Sequence, residues 1–144
     1  RSWPSTGNGH FAGNALHLNG FTAQISRMLK VASYLLAFLL LASAVAHVLA
    51  PAVYAPLIPD FFPELLANIL AAVAEAAVGI ALVIPRYRTW GGLGFLLLMA
   101  AFLPIHIWDA TKIRPAIGSK TVAYIRILLQ FLLMQGAYLI YIYS

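Results

Sequence analysis

The chain contains four long apolar stretches, and each is long enough to cross a bilayer as an α-helix. Four prolines between residues 51 and 63 forbid a continuous helix between the first two stretches. A PRYRT turn separates the second from the third, and a polar loop precedes the fourth. The pattern therefore predicts an all-α, polytopic membrane four-helix bundle. The predicted spans are about residues 31–49, 64–84, 90–110 and 121–143.

The region before the first span has a different pattern. Residues 20–30 place Phe21, Ile25 and Met28 at helical spacing between polar positions, which predicts a short N-terminal interfacial helix. Residues 1–19 are rich in Gly and Asn and show no sustained period, so we expect an extended polar arm. Such an arm is ordered only when a partner holds it. We thus expect an arm over residues 1–19 and a single domain over residues 20–144.

Composition narrows the class of protein. Hydrophobic residues make up 62% of the chain and charged residues 9%, which excludes an ordinary soluble domain. The absence of cysteine excludes disulfides, thiolate zinc sites and Cys-ligated iron–sulfur clusters, so redox chemistry would need a diffusible or borrowed cofactor, not a covalently bound one. The net charge of +5 comes from residues scattered around helix ends. We therefore expect contact with lipid headgroups and no nucleic-acid binding.

Several polar and ionisable residues interrupt the predicted spans. Such residues are costly in hydrocarbon and are functional candidates for that reason. Counting 1.5 Å per residue from the loops places the titratable ones in one half of the membrane, opposite Arg86 and Arg88. They are the candidate binding residues for a quinone or another polar headgroup. The candidates are His47, Glu75, His106, Asp109, Arg126 and Gln130.

Glu75 and Arg126 are the first pair that the sequence suggests, because pairing offsets the cost of two charges in a bilayer. Their predicted depths differ by about two turns, and Gln130, one turn from Arg126, is placed to bridge the gap. Three interpretations remain open for these residues, one of which is that they stay unpaired until a partner subunit binds. The other two are an interhelical polar clamp and a polar pocket that binds a quinone-like headgroup or relays protons.

The two intramembrane histidines leave similar alternatives open. The imidazoles of His47 and His106 can donate to quinone carbonyls, ligate haem iron or bond to backbone carbonyls. A metal site with Asp109 and Glu75 is conceivable by ligand type, but no local pair such as Glu-x-x-His supports it. The sequence favours a site without a metal.

Four strings resemble the DoxX-like family of four-helix membrane proteins: AHVLAP, AEAAVGIALVIPRYR, GFLLLMAAFLPIHIWDA and RILLQ. That family has a His late in helix one, a Glu-to-Pro stretch in helix two, a Pro-x-Asn-x-aromatic segment in helix three and Arg-x-x-Leu-Gln in helix four. The resemblance covers residues 43–130. His106 stands where the family commonly has Asn, and Asp109 where a small or apolar residue is usual. The resemblance implies a membrane redox setting, linked to quinones.

The small size, the lack of cofactor motifs and a polar arm held by a partner favour a small accessory or structural subunit of a membrane complex. The resemblance implies that this complex is a redox or respiratory one and that the subunit contributes to a quinone-proximal pocket. Two alternatives stay open: a quinone-interacting oxidoreductase subunit, and a small transporter or assembly factor. The expected partners are lipids and a larger membrane complex. The expected location is the mitochondrial inner membrane or the bacterial cytoplasmic membrane.

Overall fold

Four long helices make up most of the chain. The structure is a computed structural model that describes residues 8–116 and 118–144, with side chains from residue 20 onward. Within these described residues there is no β-strand, and the four helices form one bundle. The prediction of an all-α four-helix bundle is confirmed. The helices are α1 (Asn8–Leu49), α2 (Glu64–Val83), α3 (Arg88–Thr111) and α4 (Lys120–Tyr143).

All four helices are long and apolar enough to span a membrane, with segments at Gly20–Leu49, Glu64–Val83, Pro85–Thr111 and Lys120–Tyr143. Large apolar side chains such as Phe38 and Leu132 point away from the bundle and are about two-thirds exposed. An apolar surface of this extent is typical of a protein that faces lipid. These features suggest a multi-pass membrane protein.

Helix α1 is longer than the sequence pattern predicts. It runs without a break from Asn8 to Leu49, so the predicted interfacial helix over residues 20–30 is not a separate element. Residues 8–19 are helical, and the prediction of an extended arm is wrong for them; residues 1–7 lie outside the described residues. No proline occurs between Asn8 and Pro51, and extending a formed helix costs far less than nucleating one. The glycines of this region therefore do not end the helix.

The connections between helices are short and rich in proline. The α1–α2 connection holds two 3-10 turns, Pro51–Val53 and Ala55–Leu57, and the α2–α3 connection holds one, Pro85–Tyr87. The α1–α2 and α3–α4 loops meet at the same end of the bundle, where Lys112 Nζ donates to the Pro56 carbonyl at 2.8 Å. Each helix packs on its neighbours in the order α1, α2, α3, α4, and α4 closes the ring on α1. This is an up-down-up-down bundle.

The most tightly packed part of the bundle lies toward the α2–α3 turn. A side chain at Gly91 would place its Cβ 2.7 Å from the Leu82 nitrogen, and one at Gly92 would lie 2.9 Å from the Ala137 carbonyl oxygen. The glycines therefore let α3 approach α2 and α4 closely, as small residues do in membrane bundles. The buried core in this half consists of Leu36, Ala37, Leu40, Leu82, Phe95, Ala137 and Ile140.

Candidate functional site

One polar cluster joins α1 to α2 in the half of the bundle nearer the α1–α2 loop. Ser43 and His47 lie one turn apart on α1 and face α2. The Ser43 hydroxyl donates to Glu75 Oε1 at 3.0 Å, and His47 Nε2 lies 3.8 Å from the same oxygen. Because α1 and α2 are antiparallel neighbours, the two helices bring these side chains to a common depth.

The ring of His47 is held on two sides. Its Nδ1 lies 2.8 Å from Asn68 Oδ1, and the Asn68 amide nitrogen donates to the Glu64 carbonyl at 2.9 Å. The Asn68 oxygen is then the acceptor, so His47 Nδ1 carries a proton. Tyr54 stacks on the imidazole with ring centroids 3.7 Å apart. The tautomer and orientation of His47 thus follow from its neighbours, and Nε2 is the atom directed at Glu75.

Glu75 has one oxygen without a partner. The residue is buried, and Oε1 has the contacts to Ser43 and His47. Oε2 is also buried, and among the described residues nothing hydrogen-bonds to it. A buried carboxylate oxygen with no donor costs about 1–3 kcal/mol or more, so structures seldom leave one unpaired unless a ligand or water completes it.

A second polar cluster joins α3 to α4. Asp109 is completely buried, and its Oδ2 lies 3.1 Å from Arg126 Nη1. Its Oδ1 accepts from the Ala116 amide at 2.8 Å and lies 3.6 Å from Lys112 Nζ. Both carboxylate oxygens are therefore paired, which makes this cluster an interhelical clamp that also fixes the α3–α4 loop.

The clamp also contacts His106 on α3. Arg126 Nη2 makes a hydrogen bond with His106 Nδ1. A guanidinium can only donate, so Nδ1 accepts and the ring proton lies on Nε2. His106 therefore presents an N–H donor at Nε2, and its ring position depends on Arg126.

The predicted Glu75–Arg126 pair is not formed. Arg126 pairs with Asp109, whereas Glu75 Oε1 accepts from Ser43 and lies 3.8 Å from His47 Nε2. The depth difference between Glu75 and Arg126 explains this outcome, because each finds a partner at its own level on the adjacent helix. Gln130 does not bridge them either. Its amide nitrogen donates to the Met99 carbonyl, and its buried Oε1 has no partner among the described residues.

A cavity of about 330 Å³ lies between the two clusters. Of the six predicted site residues, His47, Glu75 and His106 line it, whereas Asp109, Arg126 and Gln130 do not. Its wall is otherwise mostly apolar and comes from all four helices and the α1–α2 loop. Other lining residues include Leu40, Tyr54, Ala71, Phe95, Met99 and Leu133. This size falls at the small end of the range for small-molecule pockets.

Ser43, Asn68 and Tyr54 belong to the site, although sequence reasoning gave them no site role. Helical spacing could have indicated the first two, since Ser43 lies one turn before His47 and Asn68 two turns before Glu75. No sequence signal places Tyr54 on the His47 ring. Within the part of the chain that the structure describes, no group of three or more His, Asp or Glu side chains is arranged to hold a metal ion.

Comparison with known families adds one match. A family model described as a domain of unknown function, DUF8561, fits residues 36–141, which is most of the chain. The chain belongs to this family. The matched region includes both polar clusters and the whole lining of the cavity. No curated protein and no solved structure matches the chain.

Proposed function

We propose that this DUF8561 protein is a small integral membrane subunit of a membrane redox complex and that its cavity binds a quinone-like molecule. The observation that carries the proposal is the buried Glu75 Oε2, which has no donor among the described residues and belongs to a side chain that lines a largely apolar cavity. A ligand with an apolar body and a hydroxyl group would bury its body in the cavity and donate to this oxygen.

The polar groups around the cavity fit a ring with oxygens on opposite edges. His106 offers a donor at Nε2, because Arg126 occupies Nδ1. On the other side, Glu75 Oε2 offers an acceptor. A quinone carbonyl would accept from His106, and a quinol hydroxyl would donate to Glu75. The apolar lining, which includes Phe95 and Leu133, suits the rest of the ring or an isoprenoid chain.

The proposal that the protein belongs to a redox complex is supported by the sequence resemblance and not by the cavity. The strings over residues 43–130 resemble DoxX-like proteins, and that resemblance implies a quinone-linked membrane environment. The chain has no cysteine, so it supplies neither a thiol couple nor ligands for an iron–sulfur cluster. We assign the electron donor and acceptor to partner subunits. The role of this protein would then be to bind and position the quinone, with Glu75 and His47 placed to exchange its protons. We place it in an energy-transducing membrane, bacterial or mitochondrial.

The binding proposal can be tested with a short-chain ubiquinone analogue. Protein in mild detergent would be titrated with the analogue, in oxidised and reduced forms, and binding followed by thermal shift. We expect Glu75→Gln to weaken quinol binding by about tenfold, the loss expected for a hydrogen bond to a charged group. Glu64→Gln is the matched control, since Glu64 lies on the same helix with its side chain exposed. Equal binding by both variants would contradict the proposal.

The subunit proposal needs a second experiment. Affinity purification in a mild detergent, followed by mass spectrometry and an ultraviolet-visible spectrum, would identify what accompanies the protein. We expect stoichiometric redox subunits with haem or flavin absorbance. A pure bundle that carries only extracted quinone would support the cavity assignment and refute the accessory-subunit role.

A further inference from the structure

A buried guanidinium lies at the end of the bundle opposite the two polar clusters. Arg88 is the first residue of α3 and is only 6% exposed. Its Nε donates to the Leu82 carbonyl at 3.2 Å, and its Nη2 donates to the Tyr34 hydroxyl at 3.4 Å. The guanidinium carbon lies 5.3 Å from the centre of the Tyr34 ring. All of these partners are neutral.

No acidic side chain of this chain balances Arg88. The sequence has four, Asp60, Glu64, Glu75 and Asp109, and all are within the described residues. Asp60 and Glu64 lie in or beside the α1–α2 loop, and Glu75 and Asp109 belong to the polar clusters. The Leu82 carbonyl in the last turn of α2 and the Tyr34 ring offset only part of the cost of burying the Arg88 charge. An anion from outside the chain would offset that cost.

Tyr34 lies between the buried Arg88 guanidinium and the outer surface of the bundle. Its side chain is about half exposed, and its oxygen accepts from Arg88. The phenolic hydrogen is therefore free to donate outward, and the adjacent cation strengthens it as a donor to an anion. Lys30 lies one turn before Tyr34, and Arg86 lies in the turn before α3; both are exposed. This end of the bundle thus carries three cationic side chains and a hydroxyl donor that is bonded to one of them.

The position of these side chains indicates what the anion is. Arg86 and Arg88 begin the candidate span Pro85–Thr111, at the depth where lipid phosphates lie. Phe38, one turn beyond Tyr34 on α1, is exposed and would contact an acyl chain. We propose that Tyr34 and Arg88, flanked by Lys30 and Arg86, bind the phosphate of an anionic phospholipid. This site is independent of the proposed quinone cavity.

The test measures lipid retention and lipid-dependent stability of the purified protein. Phosphatidylglycerol, phosphatidylcholine and inorganic phosphate would be added separately to protein in detergent, and binding followed by native mass spectrometry and thermal shift. We expect phosphatidylglycerol to be retained and to raise the melting temperature more than either alternative. Tyr34→Phe and Arg88→Gln should each weaken retention by about tenfold. Tyr124→Phe and Arg114→Gln, exposed at the opposite end, are the matched controls.

Tyr34→Phe decides the result if Arg88→Gln lowers the yield of folded protein, because the tyrosine ring and its packing remain. Full retention of phosphatidylglycerol by Tyr34→Phe would overturn the proposal. Equal stabilisation by inorganic phosphate would show a free-phosphate site, and equal stabilisation by phosphatidylcholine would show a site without selectivity for anionic lipid. Either result would overturn the assignment to an anionic phospholipid.

Discussion

Arg126 Nη1 donates to the Asp109 carboxylate across 3.1 Å, and the Asp109 side chain has no exposed surface. This pair ties α3 to α4 close to the α3–α4 loop. The same guanidinium contacts His106, a residue that lines the cavity. The Arg126–Asp109 pair lies outside the cavity, yet it determines which nitrogen of His106, a cavity-lining residue, carries the proton.

Removing the Asp109 carboxylate should destabilise the bundle strongly. Asp109→Ala leaves Arg126 without its anion and the Ala116 amide without its acceptor. We expect a loss of about 3–5 kcal/mol in the free energy of unfolding, as for one partner removed from a buried pair. Thermal or chemical denaturation in detergent would measure it. Asp60→Asn changes an exposed carboxylate at the same end and should leave stability nearly unchanged; similar losses in both variants would contradict a clamp.

The Asn68–His47 hydrogen bond should control the protonation pattern of the His47 ring. Asn68→Ala removes the acceptor of Nδ1 and should release the ring to a mixture of tautomers. We expect nitrogen NMR shifts of His47 to move from a protonated Nδ1 toward the average of both tautomers. Stability should fall by about 1–3 kcal/mol, because a buried hydrogen bond is lost. An unchanged spectrum would show that the Asn68 hydrogen bond does not determine which His47 nitrogen is protonated.

Gly91 should not tolerate a side chain. Gly91→Ala would place Cβ 2.7 Å from the Leu82 nitrogen, and backbone atoms cannot move aside without separating α3 from α2. We expect a loss of about 1–3 kcal/mol, typical of an overpacked core. Gly136→Ala is the control, since a Cβ added there would meet nothing within 4 Å and alanine favours a helix. A melting temperature that falls equally in both variants would contradict close packing at Gly91.

Filling the cavity should abolish ligand binding while the fold persists. Ala71 lines the cavity, and Ala71→Phe would occupy the space of a bound ring. We expect binding of the ubiquinone analogue to fall below detection, with far smaller changes in helix content by circular dichroism. Ala77→Phe makes the same change on an exposed face of α2 and should bind normally. Normal binding by Ala71→Phe would place the ligand elsewhere.

The sequence predicted the helices more reliably than their junctions. The spans over residues 64–84 and 121–143 agree with α2 and α4 to within one residue at each end, because proline or a polar capping segment bounds each of them. The start of α1 was predicted too late. Glycine-rich polar composition indicated an arm, but once the apolar part of a helix forms, adding residues to it costs little.

For the site, the sequence identified residue types but not their partners. Three of the candidates line the cavity: His47, Glu75 and His106. They were chosen only because ionisable side chains are costly to place in hydrocarbon. The Glu75–Arg126 pair was wrong because chemical complementarity was given more weight than the two-turn difference in depth, and because the sequence does not give the rotation of the helices. Successive residues of an α-helix point about 100° apart. A small error in helix rotation therefore turns a side chain from one neighbouring helix toward another.

The sequence by itself determined four apolar helices, the absence of thiol chemistry and a set of ionisable residues in one half of the bundle. These properties depend on composition and spacing along the chain. Only the tertiary structure decided that Asp109 takes Arg126, that Ser43 and His47 share one oxygen of Glu75, and that Glu75 Oε2 has no donor among the described residues. Hydrogen bonds act over about 3 Å. They therefore depend on how the helices are rotated and placed against one another, which packing sets.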